Sequence, residues 1–285
     1  MFKIEYRKAR GIFMKIYISV DIEGISGVTN WGFTNEGGYN YERARKFMTE
    51  EVNAVIRGAK KAGAKEILVN DSHGPMTSIL IEELDEDVVL ISGNKKLFGM
   101  MEGIDNTFQA AMLIGYHGRH NTSGVLAHSY NSSVVSEIKL NGSVVGEFEF
   151  NSLVAGAFGV PVVMTSGDNI LTGQAKEFNR DIEAIEVKKA HSRYVGECIQ
   201  PKRVHKMLEE GAERAISSKK ICPNILEGEV ELEIAFIDSG MAEGTLCIPG
   251  VKLIAPNRIK YIAKDILEAY KVRGGLITLA GAWMR

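Results

Sequence analysis

Apolar residues gather along this chain in short runs, each closed by a polar or glycine-rich turn. Met14–Val20 (MKIYISV) is such a run, and Asp21–Gly27 closes it, which predicts a buried strand entering a loop. Tyr41–Ala62 carries Phe47, Met48, Val52, Val55 and Ile56 at helical spacing, with Gly63 where a C-terminal cap belongs. Lys65–Asn70 (KEILVN) is a second buried run. Residues 14–70 therefore predict a strand–helix–strand unit with parallel pairing. Val88–Ser92 and Ala110–Gly115 predict two further strands, with a short helix between residues 94 and 109. Downstream the pattern predicts a helix over Gly146–Phe158, a strand over Pro161–Thr165 and a helix over Pro201–Ser217. A strand over Glu229–Phe236 and a final helix over Ile259–Lys271 follow.

Strands and helices alternating in this way specify an α/β fold, a three-layer sandwich around a mostly parallel sheet. A smaller C-terminal α+β portion is expected after residue 165, although no Pro- or Ser-rich linker marks the boundary. The expected division is residues 1–13 as an N-terminal extension, 14–165 as the α/β domain bearing the candidate site, and 166–285 as the C-terminal portion.

Composition narrows the function classes. Hydrophobic residues make up 45% and charged residues 25% of 285, which is ordinary for a globular protein. A formal charge of −2 provides no basic field for nucleic acid or anionic lipid. No apolar run has the length of a membrane span. The first thirteen residues, MFKIEYRKARGIF, are basic but lack the apolar core of a secretory signal, and are read as dispensable or as following an unused upstream start. The expected location is the cytoplasm. Cys198, Cys222 and Cys247 are far apart without a CxxC pair, so they are expected as buried or partly buried free thiols.

Candidate chemistry lies just beyond the strands. The first strand ends in Asp21 and Glu23, the second in Asp71 and His73, and a later one in His117. In a parallel sheet these ends share one edge, where open α/β sheets bind ligands. Carboxylates and imidazoles are suitable donors for zinc or a similar divalent ion. Each piece has an ordinary alternative, Asp71 as a turn cap and His73 or His117 as a satisfied, partly buried histidine. Gly24-Ile25-Ser26-Gly27 lacks a P-loop lysine, and Ser72 has no G-x-S-x-G context. His120, His191 and His205 sit among polar residues and are expected at the surface.

Ser19-Val20-Asp21-Ile22-Glu23-Gly24 resembles the SxDxEG signature of the M55 D-aminopeptidases, self-compartmentalising zinc peptidases. The resemblance continues through Tyr41–Glu51, Asn70-Asp71-Ser72-His73, Ile91-Ser92-Gly93, Met101-Glu102-Gly103, Gly115-Tyr116-His117, Ala127-His128-Ser129 and Val145-Gly146-Glu147. It covers nearly the whole chain from Met14 and weakens in the last third.

The resemblance implies a site of two Zn²⁺ per subunit, with Asp21, Glu23, His73, His117 and Glu147 as ligands and Asp21 placed to bridge. His128 matches a further active-site histidine that is not a ligand. Three roles fit it: stabilising an oxyanion, passing a proton to the leaving amine, or attacking the substrate itself. Glu147 is preferred to Glu149 because the preceding Val-Gly matches the family. The implied activity is hydrolysis of short peptides with an N-terminal D-residue such as D-Ala. The implied assembly is a homo-oligomer, a decamer of two pentameric rings. Val28–Asn40, with Trp31, Phe33 and Tyr39, departs most from the family and is expected to line the substrate entrance. A di-metal amidase or phosphoesterase, and a non-catalytic oligomeric binding protein, are the alternatives.

Overall fold

The computed structural model describes residues 14–218 and 221–284; the expected extension, residues 1–13, lies outside them. The chain opens with β1 (Met14–Val20), α1 (Tyr41–Lys61), β2 (Ala64–Asp71), β3 (Val89–Ile91) and β4 (Ala110–Ile114). It continues through β5 (Val135–Leu140), β6 (Ser143–Val145), α2 (Glu147–Ala157), β7 (Val162–Asp168) and α3 (Asn169–Phe178). Then come β8 (Glu183–Ser192), β9 (Val195–Cys198), α4 (Pro201–Ser217) and β10 (Val230–Phe236). The last elements are α5 (Ser239–Gly244), β11 (Lys252–Ala255), β12 (Arg258–Ala263) and α6 (Ile266–Gly281).

Side chains alternate across β1, and this separates two cores. Ile16, Ile18 and Val20 pack on one face with Met48, Val52 and Val55 of α1 and Val204 and Leu208 of α4. Tyr17, on the other face, joins Val154 of α2, Leu171 of α3, Leu232 of β10 and Leu276 of α6. The middle layer is a seven-stranded sheet in the order β3-β2-β1-β4-β7-β8-β9, parallel except for β9. The chain builds outward from β1 to β3, then resumes on the other side at β4. The crevice at the carboxyl ends of β1 and β4 is therefore the topological switch point of the sheet.

A second, antiparallel sheet runs β11-β12-β10-β5-β6. Its β5–β6 hairpin turns at Asn141-Gly142, a dipeptide suited to a tight two-residue turn that the hydrophobic pattern did not reveal. A cut at residue 165 separates neither sheet, since β8 and β9 extend the large sheet past it while β5 and β6 join the second sheet before it.

Two expectations are corrected. Ile259–Lys271 is not one helix: Arg258–Ala263 pairs with β10, and the Asp265 side chain accepts from Glu268 N to start α6. The three cysteines are exposed, one on edge strand β9 and two in loops, rather than buried. Residues 94–109 do include the expected short helix, one 3-10 turn at Gly99–Met101.

Candidate metal centre

The switch point collects the polar residues singled out above. Asp21 and Glu23 follow β1, with Asp21 N bonded to Ile114 O and Gly24 N to Gly115 O. This loop lies so close to the end of β4 that a Cβ on Gly24 would stand 1.9 Å from Tyr116 O. His73 follows β2, and His117 follows β4 after Gly115, whose φ is +71°. Glu147 is the first residue of α2. Its neighbour Glu149 instead accepts from Gly146 N and pairs with Arg119, closing the helix start. One carboxylate caps while the other reaches the crevice. Asp71 accepts from Ile79 N and His73 N, so it holds the turn that presents His73.

The reaching groups form two clusters, Asp21–Glu23–His73 and His117–His128–Glu147, each with donor atoms within 4.8 Å of one another. Asp21 spans both. Its Oδ1 lies 3.1 Å from His73 Nδ1 and its Oδ2 3.3 Å from His117 Nε2. His73 Nδ1 is also 3.0 Å from Glu23 Oε2, and His117 Nε2 is 3.4 Å from Glu147 Oε1. Asp21 Oδ2, Glu23 Oε2 and His117 Nε2 are buried without a hydrogen-bond partner despite these short separations. Atoms that converge without bonding to each other suit a shared cation between them.

The far side of each imidazole is tied to the backbone. His73 Nε2 contacts Thr34 O at 2.7 Å, His117 Nδ1 contacts Gly118 O at 3.0 Å, and His128 Nδ1 contacts Leu126 O at 2.9 Å. Donation there fixes the tautomer and turns the other nitrogen's lone pair inward, the arrangement metal-binding histidines use. His117 and His128 stack with ring centroids 4.1 Å apart. Leu126 and Tyr130 both adopt positive φ, 53° and 60°, and bracket His128 in a constrained loop.

Electrostatics follow from this burial. Burial opposes charge on His73 and on His117, but Glu23 with Asp21, and Glu147 with Asp21, outweigh it and push both pKa values well above ordinary. Burial would likewise raise Asp21, yet His117 and His73 hold its carboxyl well below the usual range. The crevice draws positive charge, whether a proton or a divalent ion. His128 differs: burial and the neighbouring His117 lower its pKa below the ordinary value.

A cleft of about 570 Å³ opens over these groups. Trp31 lines it and packs edge-on to His128 at 5.6 Å, while Phe33 is buried in the core and Tyr39 is exposed. Glu36 of the same Val28–Asn40 segment also lines it, as do Ser132 and Ser133, which carried no sequence signal. None of the other histidines joins the clusters. His191 is exposed against Glu197, and His120 and His205 are half-buried rather than fully at the surface.

The peptidase M55 family model, described as D-aminopeptidase, matches residues 14–274. The chain belongs to this family. Its members are hydrolases, and the SxDxEG stretch of the chain forms the loop from which Asp21 and Glu23 enter the crevice. A D-aminopeptidase of Bacillus subtilis (strain 168) is 39% identical over 260 residues, covering 90% of this chain and 94% of the relative. The solved structure of the zinc-dependent D-aminopeptidase DppA from Bacillus subtilis, described as a self-compartmentalizing protease, superposes with a TM-score of 0.92 at 38% identity. It covers 94% of this chain and 98% of its own. The mostly parallel sheet with its second antiparallel sheet is thus the family fold.

Proposed function

We propose that the chain is a di-zinc aminopeptidase that removes an N-terminal D-residue, of the D-Ala type, from short peptides. The observation that carries this is Asp21, whose two carboxylate oxygens face two separate His–carboxylate clusters. Asp21, Glu23 and His73 would hold one ion, and Asp21, His117 and Glu147 the other. Bound there, zinc supplies Lewis acidity for a scissile carbonyl and for water.

The rest of the chemistry belongs to side chains. Burial and the neighbouring His117 favour the neutral form of His128, and its Nε2 lies 3.9 Å from Glu147 Oε1 at the cleft wall. It is assigned to accept the proton released by the attacking water and to return it to the leaving amine. Trp31 holds its ring edge-on. Asp21, Glu23, Glu36 and Glu147 line the cleft, and among the described residues no Lys or Arg does. That charge pattern suits a substrate with a free ammonium group and disfavours phosphate esters. The cleft volume suits a ligand of one or a few residues. The preference for D-residues rests on the family.

The same reading takes the chain to assemble as a homo-oligomer, in keeping with the self-compartmentalizing relative, and as a decamer of two pentameric rings, which the family resemblance implies. No described helix is long and apolar enough to cross a membrane. Exposed Ile254, Ile262, Trp283 and Met284 would be shielded in an assembly, and mass measurement in solution tests this.

The central test is metal analysis of purified protein beside a panel of D- and L-aminoacyl peptides, amides and a phosphate ester. Two zinc per chain and turnover confined to the D-peptides are expected. Full peptidase activity in metal-free protein sinks the proposal.

A further inference from the structure

Among the described residues, Lys188 of β8 is the one lysine in the group of largest fully buried side chains, at 1% exposure. Its ammonium donates to three backbone carbonyls, those of Glu23, Ile25 (3.0 Å) and Val28 (2.6 Å). An ammonium has three N–H donors, so these bonds use its full capacity. All three acceptors belong to the loop that leaves β1, and one is the carbonyl of Glu23 itself. β8 stands three places from β1 in the sheet, so the lysine ties this loop to a distant strand.

Other contacts secure the same loop. Glu51 of α1 accepts from Ser26 N at 2.9 Å, and Ser26 Oγ donates to Ile199 O at 2.6 Å. On its other side, Asp21 N and Gly24 N bond to Ile114 O and Gly115 O. The segment is thus held from both flanks, with Asp21 and Glu23 projecting into the crevice. Without Lys188, the buried carbonyls of Glu23 and Val28 would lose this partner while Ile25 O would keep only Val28 N, and the loop would shift to find water. Such a shift moves Glu23 directly, because the bond is to its own peptide group.

We propose that Lys188 is a positioning residue for the metal centre, fixing the Glu23–Val28 loop so that Glu23 and Asp21 stay in register with His73. This rests on the two-ion reading of the site. A buried ammonium whose donors are all spent on the backbone of one loop serves loop geometry, and ligand geometry determines ion affinity.

The test compares wild type with Lys188→Met, which keeps the length and removes the donors. Zinc affinity is read by competition with a chromophoric chelator, the ligand field by the visible spectrum of cobalt-substituted protein, and folding by Tm. Zinc binding should weaken at least tenfold. The cobalt spectrum should change, and kcat at saturating zinc should fall while KM stays within twofold. Should Lys188→Met not fold, Lys188→Gln, which retains two donors on a shorter stem, should show an intermediate loss of zinc affinity. A variant with lower Tm but wild-type zinc affinity, cobalt spectrum and kcat overturns the proposal and leaves Lys188 a stabilising residue only. Wild-type protein that binds no zinc overturns the two-ion reading itself, and this proposal with it.

Discussion

Gly115→Ala sets the geometry of the crevice against ordinary backbone strain. Gly115 follows β4 at φ +71°, and a Cβ there would lie 2.2 Å from Asp21 O and 2.6 Å from Ile25 Cδ1. Gly63, after α1, has φ +99° but nothing within 4 Å of its Cβ. Both substitutions incur left-handed strain of about 1–2 kcal/mol. Only Gly115→Ala adds a backbone collision, and relieving it to 3.0 Å requires the Asp21 carbonyl and the β4 end to part by about 0.8 Å. Overpacking of this kind costs about 1–3 kcal/mol, and a displacement near 1 Å at reacting groups about 100-fold in rate. Gly115→Ala should therefore lose about 2–5 kcal/mol of stability and about 30- to 100-fold in kcat/KM on a D-alanyl peptide at saturating zinc. Gly63→Ala should lose only about 1–2 kcal/mol, with unchanged kcat/KM. Urea unfolding and steady-state kinetics on the two variants measure both quantities. Equal kinetics in the two would refute the argument that Gly115 sets the position of Asp21.

Four further outcomes are expected. Glu147→Gln should reduce kcat/KM more than 100-fold, roughly the loss of one group stabilising a transition state. Glu149→Gln should keep activity and lower stability by about 1–2 kcal/mol, because that carboxylate caps α2 and pairs with Arg119; matched losses of activity would contradict the division of roles. Burial pushes the Glu51 carboxyl up to about 8, with Ser26 N–H and Lys188 opposing only in part. Its raised folded-state value means stability is fully present below pH about 4.3 and declines by about 1.4 kcal/mol per unit as pH rises toward 8. Glu51→Gln should flatten that component of the slope, measured by unfolding between pH 5 and 8, and parallel curves would count against it. Chelation should abolish activity and lower Tm, and zinc should restore both; at a free ion concentration 1,000-fold above Kd the stabilisation is about 4 kcal/mol. Unchanged Tm on chelation would show that the crevice holds no tightly bound ion.

Much of this protein was legible in its sequence. The runs at Met14–Val20, Lys65–Asn70 and Ala110–Gly115 became adjacent parallel strands because buried strands carry continuous apolar sequence. Once parallel, they had to present Asp21, Glu23, His73 and His117 at one edge. Elements whose identity depends on their partners were not legible. Arg258–Ala263 is a strand because β10 lies beside it, and its apolar residues are equally compatible with a helix. The short strands β5, β6, β9 and β11 sit on or near sheet edges, where half-buried sequences carry little pattern.

The site divides in the same way. Residue types and their place after strands are sequence properties, so the candidate donors that converge in the crevice could be named from the chain and its family. Distances, tautomers and burial are properties of packing. Only the tertiary structure decides that Asp21 faces two clusters at once, that Glu149 caps while Glu147 reaches, and that Leu126 O orients His128. Lys188 shows why. A buried charge acquires its role from the carbonyls around it, and those come from a loop more than 150 residues away in the chain.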